Sequence, residues 1–211
     1  TATRTFIGRT HLNPANKPTM SSAASAYPIR WQTPAPRSYD AYISLGDNCE
    51  AGLQFQRIGY HYSSFFRYTY SPFDSTVDLI SNDFSGVFSK ENLVPGQGGM
   101  AYDTRYKISF HSKLEVQNSP AGEPRFFERP ASESVYANEL SKINHLISKW
   151  LHLVSSESEV LYIIKCPDGG GRAKALTLYN LFARKYPRHN FSILFLQTED
   201  QREPDWNLPN I

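Results

Sequence analysis

The sequence predicts an α/β domain on a mostly parallel sheet with flanking helices, its C-terminal third Rossmann-like. Three observations carry that reading. Val160-Leu161-Tyr162-Ile163-Ile164-Lys165 and Phe191-Ser192-Ile193-Leu194-Phe195-Leu196 are continuous apolar runs, the pattern of strands covered on both faces. Residues 173–186 between them have a helical pattern, so strand, helix and strand follow one another as in a parallel crossover unit. A further apolar run at 40–45 leads into a helix at 49–58 with the same texture.

Taken in order, the chain opens with residues 1–36, which hold prolines at 14, 18, 28, 34 and 36 among small polar residues. That composition describes an irregular Pro-rich arm or linker ahead of a single domain over 37–211. The first residue is not Met and no signal-peptide apolar core follows, so the sequence reads as an excised or processed fragment. After the 40–45 strand and the 49–58 helix, Gly59 suits the position just past a helix end. The aromatic-dense segment 60–70 reads as core and loop packing, with a ligand-stacking platform as its competitor.

Ser71-Pro72-Phe73-Asp74 is a turn, and a short helix is expected over 75–82. A Gly-rich connection at 95–99 leads to an alternating strand at 106–111, and residues 117–130, with three prolines, read as loop. Apolar residues at 140, 143, 146, 147, 150, 151 and 154 form a helical stripe over 134–154.

Composition narrows the function. A net charge of +2 does not support a nucleic-acid partner, which requires a strong basic stripe. No stretch approaches the ~20 apolar residues of a membrane span. The two cysteines, Cys49 and Cys166, make no disulfide framework and read as free thiols in a reducing compartment, here the cytoplasm. Neither C-x-x-C nor H-E-x-x-H occurs, so the sequence calls for no metal and no cofactor.

Ligands of an open parallel sheet gather outside the carboxyl ends of its strands. Two loops should meet there, Gly46-Asp47-Asn48-Cys49 and Cys166-Pro167-Asp168-Gly169-Gly170-Gly171-Arg172. A cysteine at a strand-to-helix turn faces unpaired N–H groups and the positive helix end, which favours a nucleophilic thiolate. The competing reading makes Cys49 a small buried hydrophobe.

A thiol nucleophile needs a base, and the base an orienting group. His111, at a strand end, is the candidate base, against an ordinary strand-end histidine. Asp168 or Asp74 is the candidate orienting carboxylate, against a turn-starting residue and a helix cap respectively. Asp47 and Asn48 are helix caps or members of an oxyanion pocket. Arg67, Arg172 and Lys174 are the candidate substrate contacts, the latter two following the glycines where a helix start can hold an anion.

Ser44-Leu45-Gly46-x-x-Cys49, then Arg57-Ile58-Gly59, Pro72-Phe73-Asp74, Asn82-Asp83-Phe84 and Phe110-His111 occur in that order. This series resembles a bacterial domain family described as papain-like cysteine peptidases, over roughly residues 39–200. The resemblance implies a Cys/His site with Cys49 as nucleophile and His111 as base. It also implies a bacterial protein of the kind that accompanies surface-polysaccharide genes. Ser112 stands where the family has an acidic residue, and Ser75 where it has Trp.

Two function classes follow. One is a thiol-dependent hydrolase or acyltransferase acting on an amide, ester or thioester of a small molecule, peptide or glycan. The other is a non-catalytic or sugar-processing module that binds a glycan or nucleotide-sugar through Arg172, Lys174 and the aromatics. A serine-esterase reading of Gly46-Asp47 lacks a D-x-x-H near the C-terminus.

Overall fold

The computed structural model describes residues 38–126, 130–167 and 169–201, together with Trp206 and Ile211; the 1–36 arm and Asp168 lie outside the described residues. β1 (Ala41–Ser44) runs into α1 (Glu50–Arg57), and β2 (Thr69–Tyr70) into α2 (Phe73–Ser81). Five short strands follow: β3 (Leu93–Pro95), β4 (Ala101–Asp103), β5 (Ile108–Phe110), β6 (Val116–Asn118) and β7 (Pro124–Phe126). α3 (Pro130–Ser155), β8 (Glu159–Lys165), α4 (Gly171–Lys185) and β9 (Asn190–Leu196) complete the fold.

The three strands read from apolar runs pair as expected. β1, β8 and β9 form one parallel sheet in that order, with Ala41 opposite Val160 and Tyr162 opposite Ile193. The expectation of a mostly parallel, Rossmann-like architecture is corrected by the remaining strands. β2, β5, β4 and β3 form a four-stranded antiparallel sheet, and β6 and β7 an antiparallel pair within the segment read as loop. β3, β4 and β5, and β6 with β7, follow one another through short connections with no room for a crossover helix, so they pair antiparallel, and β2 adds to the β5 edge. The Gly-rich connection forms a turn at Gln97–Gly99 between β3 and β4.

Aromatic rings fill the core. Trp150 on α3 packs edge-on against Phe66 and Phe84 on one side and against Phe182 on the other, with centroids 5.8–6.0 Å apart. It also lies 5.6 Å from the ring of Tyr162, the central residue of β8. α3 thus bridges the parallel sheet and the aromatic 60–70 segment, whose Phe65 and Phe66 are buried. Arg67 and Thr69 of that segment are buried as well, whereas Tyr68 and Tyr70 are exposed, and Tyr60 Oη accepts the Tyr42 N–H on the open edge of β1 at 2.9 Å.

His189, just before β9, is buried in this cluster, with Nε2 2.8 Å from Tyr162 Oη and its ring stacked on Phe191. Its Nδ1 has no hydrogen-bond partner among the described residues. Burial disfavours the imidazolium and lowers the pKa from 6.5 to about 4. The unfolded chain therefore binds a proton between those values that the folded chain refuses. Stability is complete above pH 6.5 and falls as pH drops towards 4, by roughly 2–3 kcal/mol. Urea denaturation at pH 7, 5.5 and 4.5 should show that loss, and His189→Gln should flatten it; parallel pH profiles for the two proteins would refute the assignment.

Candidate active site

β1 delivers the chain to the carboxyl edge of the parallel sheet, and Leu45 N–H donates to Ile163 C=O at 2.9 Å as its last ladder bond. Gly46 then turns with φ 101°, a conformation that suits glycine, and an added Cβ would press on Ser71 C=O at 2.9 Å. Asp47 follows at φ 61°, and its N–H donates to Ser71 C=O at 3.0 Å. Asn48 Oδ1 accepts the Glu50 N–H at 2.9 Å, an Asx turn that leads the chain into α1. Cys49 occupies the N-cap position of α1, half-buried, and makes no side-chain capping bond.

A hydroxyl pair that sequence reading missed holds this turn. Ser71 Oγ and Thr76 Oγ1 lie 2.8 Å apart, both buried, and Thr76 Oγ1 donates to Leu45 C=O at 3.1 Å. Their only signal in the sequence is that they flank Pro72-Phe73-Asp74. This clamp brings the start of α2 against the Cys49 loop. Asp74 is exposed in the first turn of α2.

The second predicted loop arrives at the same edge. Lys165, at the end of β8, pairs with Glu50 at 2.7 Å, tying the strand before Cys166 to the residue after Cys49. Cys166 itself is buried. Gly169 and Gly170 are both left-handed, with φ 78° and 70°, and lead into α4. Arg172 is exposed there, and Lys174 Nζ lies 5.6 Å from the ring centre of Phe73 on α2. Three helices therefore begin around one strand edge, with Asp47, Asn48, Cys49, Asp74, Arg172 and Lys174 on them or beside them.

His111 and Arg67 stand apart from this group. Asp47 touches Ser71, and a Cβ on Gly52 would collide with Arg67 C=O, so the start of α1 lies along the segment that contains β2. On the other side of β2 runs β5, with Thr69 opposite Phe110. His111 follows Phe110 and is exposed. It sits one strand beyond β2, and no hydrogen bond joins it to Cys49 or Asp74 among the described residues.

Arg67, read as a substrate contact, is only 3% exposed. Its Nη1 donates to Tyr62 C=O at 2.6 Å, and its Nη2 to Tyr60 C=O at 2.8 Å and Gly52 C=O at 3.4 Å. The guanidinium is spent on the backbone, where it pins α1 to the aromatic segment.

The family described as "Putative papain-like cysteine peptidase (DUF1796)" matches residues 40–201. The chain belongs to that family. No curated protein and no solved structure matches it. Membership supports thiol-hydrolase chemistry at a coarse level, and the family's matched region contains the Cys49 edge, His111 and the short-stranded sheet. Among the described residues there is no group of three or more His, Cys, Asp or Glu able to hold a metal ion, and no helix long and apolar enough to cross a membrane.

Proposed function

We propose that the domain is a thiol-dependent hydrolase or acyltransferase in which Cys49 attacks the carbonyl of an amide, ester or thioester. The observation that carries this reading is the half-exposed Cys49 at the N-cap of α1, on the edge where α1, α2 and α4 begin. Attack forms a thioester to Cys49 and releases an amine, alcohol or thiol; water or a second acceptor then takes the acyl group. The backbone amides that open α1 are the donors for the tetrahedral oxyanion, with the Asp47 and Glu50 amides already engaged by Ser71 and Asn48. On this reading His111, to which the family resemblance of Phe110-His111 gives the base position, is the base, and Asp74 or Asp168 is the acidic partner. On the same reading the domain acts in a bacterial cytoplasm, on a small-molecule, peptide or glycan substrate of surface-polysaccharide metabolism.

Native alkylation tests the nucleophile separately from the base. Under iodoacetamide, mass spectrometry should find Cys49 modified at least ~10-fold faster than the buried Cys166, and His111→Ala should slow Cys49 alone. Equal rates, or modification of Cys49 only after denaturation, would remove the thiol mechanism. A nucleotide-sugar that raises the melting temperature while Cys49 stays inert would establish the binding reading, for which exposed Arg172 beside the glycine turn is the supporting feature.

A further inference from the structure

A cavity of about 780 Å³ opens away from the Cys49 edge, where β3, the segment after β5, β7 and the first turns of α3 meet. Its volume is that of a small-molecule site rather than of a packing defect. Leu93, Val94, Leu114, Phe126, Val135 and Tyr136 form the apolar part of its lining, and the carboxylates Glu115 and Glu133 lie there too. Two cations also line it, Lys113 and Arg125, and neither side chain has an ion-pair or hydrogen-bond partner among the described residues. The third, Lys90, is already matched by Glu133 at 2.7 Å. Tyr136 is fixed against the wall, with its hydroxyl donating to Phe88 C=O at 3.1 Å and its ring stacked on Phe88.

An apolar lining with cations in excess of carboxylates, Lys90, Lys113 and Arg125 against Glu115 and Glu133, complements one kind of molecule. We propose that this cavity binds an amphipathic anion, an apolar chain ending in a carboxylate, with the chain against Leu93, Val94, Leu114 and Phe126. Arg125 offers the planar donor fork that matches a carboxylate, and Lys113 supplies a second charge. The cavity reaches from β3, at the sheet edge opposite β2, to the segment that follows β5, where Lys113 stands two residues after His111, and the proposal does not rest on the thiol chemistry.

Decanoate is the probe, with decanol as its uncharged counterpart, titrated calorimetrically into the full chain. Decanoate should bind saturably at one site and at least 10-fold more tightly than decanol. The exposed double substitution Lys113→Gln with Arg125→Gln should erase that preference, and Val94→Trp, at a position 41% exposed and so free of core strain, should weaken both ligands by filling the cavity. Each variant is checked by its thermal transition before titration. Absence of saturable binding, equal affinity for decanoate and decanol, or unchanged affinity in both variants would overturn the proposal.

Discussion

Cys49→Ala should abolish acyl-transfer activity, cutting cleavage of an activated ester such as p-nitrophenyl acetate by ~10³-fold or more, because a covalent route disappears with its nucleophile. Cys166→Ala should change little, since that thiol is 2% exposed and packs in the core. The burst of p-nitrophenol that marks acyl-enzyme accumulation should vanish in the first variant and persist in the second. Unchanged turnover in Cys49→Ala would leave the thiol without a role.

The base is a separate matter. His111 lies one strand from the thiol's own segment, so His111→Ala should cost ~10²-fold, the usual scale of general base catalysis. A loss confined to Asp74→Asn, with His111→Ala unaffected, would move the proton-accepting role to the α2 start, which the Ser71–Thr76 clamp presses against the Cys49 loop.

The strands of the parallel sheet were legible because β8 and β9, at seven residues each, are long enough for a continuous apolar run to stand out. The helices α3 and α4 were legible by period. Of the antiparallel sheet only β5 was legible, as the alternating run at 106–111; β2 has two residues and β3 and β4 three each, too few for alternation to register. Extrapolating from the visible strands therefore overstated the parallel share of the fold.

The meeting of the two loops followed from a rule about strand edges and is realised by the Lys165–Glu50 pair. The place of His111 beside β2 did not follow from any rule, because it depends on the pairing of β5 with a two-residue strand the sequence does not announce. The cavity was equally hidden, its lining being drawn from four separated segments with no shared motif.

Arg67→Met should be the most destabilising single change at this end of the molecule. Methionine keeps the length and apolar stem but removes both Nη donors, so the carbonyls of Tyr60 and Tyr62 lose bonds of 2.8 and 2.6 Å inside a site 3% exposed. Hydrogen bonds to a charged donor contribute ~1.5–3 kcal/mol each, and buried acceptors left unpaired add their own desolvation cost. A loss of about 3–5 kcal/mol is expected, a large share of a typical domain's total of roughly 5–15. For a chain of this length that corresponds to a fall of about 10 °C in Tm.

Because Gly52 C=O shares the same guanidinium, the damage should reach α1 and with it Cys49. Hydrogen exchange in Arg67→Met should accelerate first over residues 50–62, and Cys49 alkylation should lose its advantage over Cys166 at temperatures below the global transition. Arg67→Lys should recover only part of the loss, since an ammonium cannot span carbonyls on both α1 and the 60–62 segment as the fork does. If Arg67→Met melts within a degree or two of the native protein, the guanidinium is not the pin that holds α1 in place.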